Sequence, residues 1–298
     1  MGNRTVKHFS VGQALLYMVL GLFAVTCLLP MILVVIASFS TDASIYEKGF
    51  SFFPRGWTLD GYKYIVKFGD QIVRAYGVTL FETVVGSVWT ILLCSMFGYA
   101  LSRSTFRLRG GLTVFLLITM LLHGGGLSEF ILKSNVYHLR NNLLVLILPG
   151  VSAYTCIVMR TFIKSNVHDS LIESAKIDGA GEFYIYVKIV LPLIKPVLAA
   201  LGFMEAIGHW NQWQTSYLYM SEPKLATLQQ ILMKIENGME YLKQNMNASP
   251  EMAKQLAQMP SVATKMAVLA VVTGPIIIAY PFFQKYFIKG ITIGAVKG

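Results

Sequence analysis

No Asp, Glu, Lys or Arg stands between Phe9 and Thr41, a run longer than a bilayer is thick. A hydrocarbon core of about 30 Å needs about 20 mostly apolar helical residues to cross it. Inside lipid the backbone N–H and C=O groups have no water to bond, so each spanning segment must satisfy its own and be a helix. Five further stretches meet the same condition. Ala75 to Ser102 carries only Glu82, and Gly110 to Ser128 only His123. Asn141 to Met159 and Met266 to Gln284 are uncharged, while Pro196 to Ser221 holds Glu205 and His209. The fold class that follows is an all-α integral membrane protein with six transmembrane helices. The first stretch, with Pro30 as an expected kink, is too long for the apolar core of a signal peptide and has no small-residue cleavage site after it. It is read as a retained helix.

Charge supports this class. Only 13% of the residues are charged, against about 25% in soluble domains. The net charge of +10 would suit a polyanion, but no dense basic run with interleaved aromatics occurs. The expected environment is a lipid bilayer with basic loops on its cytoplasmic face, not nucleic acid. Cys27, Cys94 and Cys156 fall inside apolar segments without paired spacing, which points to single buried thiols rather than disulfides or zinc. Small residues recur at spacing four, as in Cys94, Gly98 and Ser102, or Gly202 and Ala206. Such faces allow close helix approach.

Orientation follows from the short loops. Arg103, Arg107 and Arg109 cluster between the second and third stretches; Arg4 and Lys7 precede the first, and Lys285, Lys289 and Lys297 follow the last. Basic loops of this kind stay inside the cell. Raw counts of Lys and Arg do not separate the two sides, but acids do, with nine on the outer loops and four on the inner ones. The expected topology has both termini in the cytoplasm. The implied layout is a cytoplasmic N-terminus (1–13), a first helix with its extracellular loop (14–74), a core of five helices (75–287) and a cytoplasmic tail (288–298).

That parity puts the polar connection at 164–195 inside the cell. Ser170 and Glu173 are spaced as a capping box at a helix start, and Asp178-Gly179 reads as its stop. A second helix is expected over about Glu182 to Val190, before Pro192. The result is a helical knob on the cytoplasmic face.

The knob resembles the EAA loop of ABC importer permeases, whose pattern is E-A-A, three residues, G, nine residues, I-x-L-P. Here it reads Glu173-Ser174-Ala175, Gly179, then Ile189-Val190-Leu191-Pro192, departing only at Ser174. The likeness extends to "LLPMILVVIASFS", "FPRGWTLDGYKYI", "NNLLVLILPG", "GHWNQW" and "YPFFQKYFIKGITIGAVKG", nearly the whole chain. It is similar to the maltose-permease-like carbohydrate-uptake class, within the oligosaccharide and polysaccharide-fragment importers. That resemblance implies a type I importer permease fold in a bacterial cell membrane, moving an oligosaccharide by alternating access. It also implies a homologous second permease, two cytoplasmic ATPase subunits that bind ATP and Mg, and an extracellular solute-binding lipoprotein. The knob would be the coupling helix, with Glu173, Ser174, Ala175, Asp178, Gly179 and Ala180 facing an ATPase. No G-x-x-x-x-G-K-[ST] phosphate loop occurs, so the chain is expected to hold no ATPase site, cofactor or metal of its own. A permease for a non-sugar substrate is the alternative, because the EAA loop is shared across substrates.

Ionisable groups in spans are costly and mark functional candidates. Glu82, Glu205 and His209 are such groups, with interhelical hydrogen bonding as their structural alternative. His123 reads as interfacial. Trp210, Asn211 and Trp213 combine flat apolar faces with an amide, which suits sugar rings; an aromatic belt at the bilayer surface is the other reading. An intramembrane enzyme would need paired carboxylates or a Ser/His dyad, which the isolated Glu82 and Glu205 do not offer. The outer loop at 222–265 carries methionines at 233, 239, 246, 252 and 259, with Met266 just beyond, and Ser249-Pro250-Glu251 reads as a helix start within it. A docking surface for the binding protein is expected there.

Overall fold

The computed structural model describes residues 11–54, 56–122, 124–244 and 261–295. Among these residues the chain is helical throughout, its only β contact being an isolated bridge between Ser40 and Trp57. The described chain divides into two compact units, residues 1–68 with 235–273 and residues 69–234 with 274–298.

In the first unit, α1 (Val11–Ser38) runs through Pro30. Its apolar side chains stay largely exposed, as a lipid-facing span requires. After α2 (Asp42–Lys48) and α3 (Asp60–Lys67), the unit is closed by the start of α13 (Val262–Ala295). Asp42 Oδ1 accepts from the Ala263 amide at 2.9 Å. Gly61 lies so near that a Cβ there would stand 2.9 Å from the Ala263 carbonyl oxygen. Met266 packs on Ile45, Val262 and Ala263, an ordinary core role for one of the methionines. Met246, Met252, Met259 and the Ser249-Pro250-Glu251 helix start lie outside the described residues, as do His123, Arg4, Lys7 and Lys297.

The second unit is built on α4, a continuous helix from Gly69 to Ser102 with a π-turn over Glu82–Gly86. It packs along α7 (Ala153–Asn166) through the small-residue face read from the sequence. A Cβ on Gly98 would meet Met159 Cβ at 2.9 Å and the Arg160 amide nitrogen at 3.0 Å. Cys94 and Cys156 are buried in one cluster at this seam, whereas Cys27 is exposed on α1 and not buried as expected.

Several expected spans have other boundaries. The third is α5 (Arg109–Leu121) followed by α6 (Gly125–Val136) at an angle of 113°. The fourth is not one helix over 141–159. A 3₁₀ turn (Leu143–Leu146) precedes Pro149 and Gly150, and α7 starts only at Ala153, where Ser152 Oγ caps it. Pro149 lacks an amide hydrogen and disfavours helical backbone at the residue before it, and Gly150 sits at φ +68°. The fifth is α10 (Lys195–Trp210), separated by a break from α11 (Gln214–Tyr219), after which comes α12 (Leu228–Gln244). Among the described residues, three helices are long and apolar enough to cross a membrane, or up to five if each bent pair counts as one span.

Candidate functional site: the EAA-like hairpin and the intramembrane polar groups

The polar connection folds as α8 (Asp169–Ile177) and α9 (Glu182–Leu193). The start of α8 differs from the capping-box expectation. His168, not Ser170, is the N-cap, and no side chain caps the helix. Asp169 takes the first position, where an acid meets the positive end of the helix dipole. Glu173 is exposed and has no hydrogen-bond partner among the described residues, while Ser174 Oγ donates to the Ser170 carbonyl at 2.9 Å. The stop is as read. Asp178 is the C-cap and Gly179 adopts φ +81°. The Ala180 amide donates to the Ala175 carbonyl at 2.9 Å and the Gly179 amide to Lys176 at 3.0 Å, the paired bonds of a Schellman turn.

One side of the hairpin faces in. Ile172, Ile185 and Val190 are buried, with Ala175 and Ala180 packed against them. The other side is apolar and bare: Leu171, Phe183 and Tyr184 are exposed, and Ile177 is 86% accessible. The second helix runs through Pro192 to Leu193, with a π-turn over Tyr186–Val190 just before the proline. At the base of the hairpin, Glu182 bonds Lys176 Nζ at 2.5 Å and accepts from Tyr99 Oη at 2.6 Å. The Lys176 ammonium, then the Tyr99 hydroxyl, holds the Glu182 carboxyl below the usual carboxylate range.

The six intramembrane candidates separate into pairs rather than one constellation. Glu82 is fully buried in the π-turn, and neither carboxylate oxygen has a hydrogen bond among the described residues. His209 Nδ1 lies 3.9 Å from Glu82 Oε1, within ion-pair reach of a protonated imidazole but not a hydrogen bond. Gly86 makes this approach feasible, since a Cβ there would stand 2.6 Å from His209 Cε1. Glu205 instead accepts from Thr155 Oγ1 at 2.6 Å, the interhelical bond of the structural alternative. Trp210 is 4% exposed, with its ring 6.4 Å from that of Tyr76. Asn211 caps α10, is exposed and accepts from Gln229 Nε2 at 3.3 Å. Trp213 is partly exposed, edge-on to Tyr217 at 6.0 Å.

A cavity of about 590 Å³ lies along α4, α10 and α13. Trp210, Phe203, Phe283 and Ile91 are in its wall, with Thr83, Ser87 and Ser95 as its few hydroxyls. It is too apolar to pair the hydroxyls of a sugar. Glu82, Asn211 and Trp213 do not line it.

An all-helical chain with apolar spans and a turn-locked polar hairpin between them has the make-up of a membrane transport subunit. The chain belongs to the family described as "Binding-protein-dependent transport system inner membrane component", which matches residues 9–293. It is therefore the permease component of such an importer. It is 36% identical to the polygalacturonan/rhamnogalacturonan transport system permease protein YtcP of Bacillus subtilis, over 95% of this chain and 97% of that one. It is 32% identical to Protein LplC of the same organism, covering 93% and 92%. Among solved structures it is similar to a bacterial ABC transporter involved in the import of the acidic polysaccharide alginate. That likeness has a TM-score of 0.75 and 28% identity, over 96% of this chain and 99% of that chain. YtcP is named as a transport system permease protein, and the alginate structure as an importing ABC transporter.

Proposed function

We propose that this permease imports an oligosaccharide released from a polysaccharide, as one of two homologous permeases in an ATP-binding-cassette importer. The observation that carries the substrate class is the full-length likeness to YtcP and to the alginate importer, both named for polysaccharides. ATP and Mg are bound by two cytoplasmic ATPase subunits, and an extracellular lipoprotein delivers the sugar. The α8–α9 hairpin is the coupling element: Glu173, Ser174, Asp178 and Gly179 form its exposed turn and outer face, Ala175 and Ala180 pack that turn onto the core, and the bare side chains of Leu171 and Ile177 seat it on an ATPase. Asn211 and Trp213, exposed at the end of α10, are the residues of this chain best placed to meet sugar.

The test is uptake and ATPase stimulation in proteoliposomes, with a panel of acidic and neutral oligosaccharides presented on the cognate binding protein. Stimulation by members of the panel supports the reading; stimulation only by non-sugar solutes turns it to the alternative substrate class. With the best sugar, Trp213→Ala raises the concentration needed for half-maximal uptake roughly fivefold, the loss of one aromatic face. An unchanged value removes Trp213 from the sugar path.

Six spans with both termini inside follow from the basic-loop reading. In a chain stripped of Cys27, Cys94 and Cys156, Ser165→Cys stays unlabelled by an impermeant maleimide in intact cells, whereas Lys224→Cys is labelled; both positions are exposed. The reverse pattern inverts the topology.

A further inference from the structure

Ser95, Tyr99 and Arg103 stand four residues apart and so share one face at the end of α4. Each is bonded to the hairpin. Ser95 Oγ and Tyr186 Oη lie 2.6 Å apart. Tyr99 Oη donates to Glu182 Oε2 at 2.6 Å. Arg103 Nη1 donates to Asp169 Oδ1 at 2.8 Å. The partners are not scattered: Asp169 opens α8, Glu182 opens α9, and Tyr186 lies one turn further along α9. Glu182 also holds Lys176, in the last turn of α8. Both helices of the hairpin are thus pinned at their starts to a single rail on α4.

We propose that Tyr99 and Arg103 are positioning residues that make the hairpin and α4 move as one body, so that a displacement of the hairpin reaches the span carrying Glu82. This rests on the reading of the hairpin as the coupling element. Packing of Ile172, Ile185 and Val190 against Met159 and Ile163 holds the inward side of the hairpin, and the rail bridges the side where packing is open. Tyr99, Arg103 and Glu182, with Met96, Phe106 and Phe183, wall a cavity of about 400 Å³. Across such a gap, apolar side chains lose their contacts, and fixed direction comes from charge-assisted bonds. Arg103 is 7% exposed, so without Asp169 its guanidinium is a buried charge lacking its partner.

The experiment uses the complete importer in proteoliposomes and reads sugar moved per ATP hydrolysed, with co-purification of the ATPase as the assembly control. A merely structural loss lowers both rates together and leaves their ratio unchanged. Arg103→Asp and Asp169→Arg each lower the ratio about fivefold or more, and the double exchange restores it to within about twofold. Tyr99→Phe keeps the ring against Tyr186, 5.6 Å away, and removes only the hydroxyl; it lowers the ratio about twofold to fivefold with the ATPase still attached. It decides the matter if Arg103→Asp fails to assemble. An unchanged ratio in Tyr99→Phe, or a double exchange no better than its worse parent, overturns the rail. Sugar-stimulated turnover in the wild type with such variants overturns the rail alone. A wild-type ATPase that no transported solute stimulates overturns the coupling reading, and the rail with it.

Discussion

Gly179→Val abolishes sugar uptake, with loss of tenfold or more expected from the backbone alone, while the chain remains in the membrane. Gly179 sits at φ +81°, and a Cβ there would meet nothing within 4 Å. The penalty is therefore conformational and not steric contact. A left-handed residue with a Cβ costs roughly 1–2 kcal/mol, and a β-branched one is a true outlier. The backbone relaxes by giving up the Schellman bonds to Ala175 and Lys176. The turn then opens and Ile177 shifts with it. Gly179→Asn, which tolerates this conformation, retains most uptake, with Gly179→Ala between the two. Equal uptake across the series would show that the turn does not matter.

Glu173→Lys separates docking from folding. Glu173 is exposed and bonded to nothing in this chain among the described residues, and surface changes of that kind move stability by only about ±0.5 kcal/mol. Its substitution leaves the permease as stable as before but lowers co-purification of the ATPase and uptake together. Full retention of both would place the docking face elsewhere.

The second large effect lies in the membrane. Gly98→Leu lowers the amount of folded permease severalfold, read as detergent-resistant protein at a fixed temperature. A side chain at Gly98 meets the backbone nitrogen of Arg160 and the Cβ of Met159. Neither can swing aside as a side-chain tip can, so α4 and α7 must separate, at a cost of about 1–3 kcal/mol for overpacking. The seam also carries the bond from Arg160 Nε to the Leu101 carbonyl, at 3.2 Å. Gly208→Leu is the control: it lies on α10 with nothing within 4 Å of its Cβ, and the folded amount is unchanged. Equal yields of the two variants would refute a tight α4–α7 seam.

These expectations draw on features that were unequally legible in the sequence. The turn at Asp178-Gly179 and the small-residue spacing of Cys94 and Gly98 are local patterns, set by backbone geometry and spacing, and both stand in the structure. The capping box was also local but failed, because Asp169 one residue earlier takes the first helical position and extends α8 past Ser170. The uniform span over 141–159 failed because hydropathy does not register that Pro149 and Gly150 interrupt helical backbone. Arg103 was legible only as part of a basic loop. Its acid, Asp169, lies far along the chain, and no sequence window contains both.

Membrane residence, helical class and the glycine-locked hairpin were determined by the sequence by itself. They follow from apolar length, from backbone hydrogen bonding in lipid and from a residue without a Cβ, none of which needs a distant partner. Tertiary structure alone decided which polar groups meet. Glu205 found Thr155, Glu82 came to face His209 across Gly86, and Trp210 turned inward toward Tyr76 while Trp213 stayed exposed. Those outcomes depend on how helices far apart in sequence pack at a few ångströms. In that regime the presence or absence of one Cβ sets which side chains can approach.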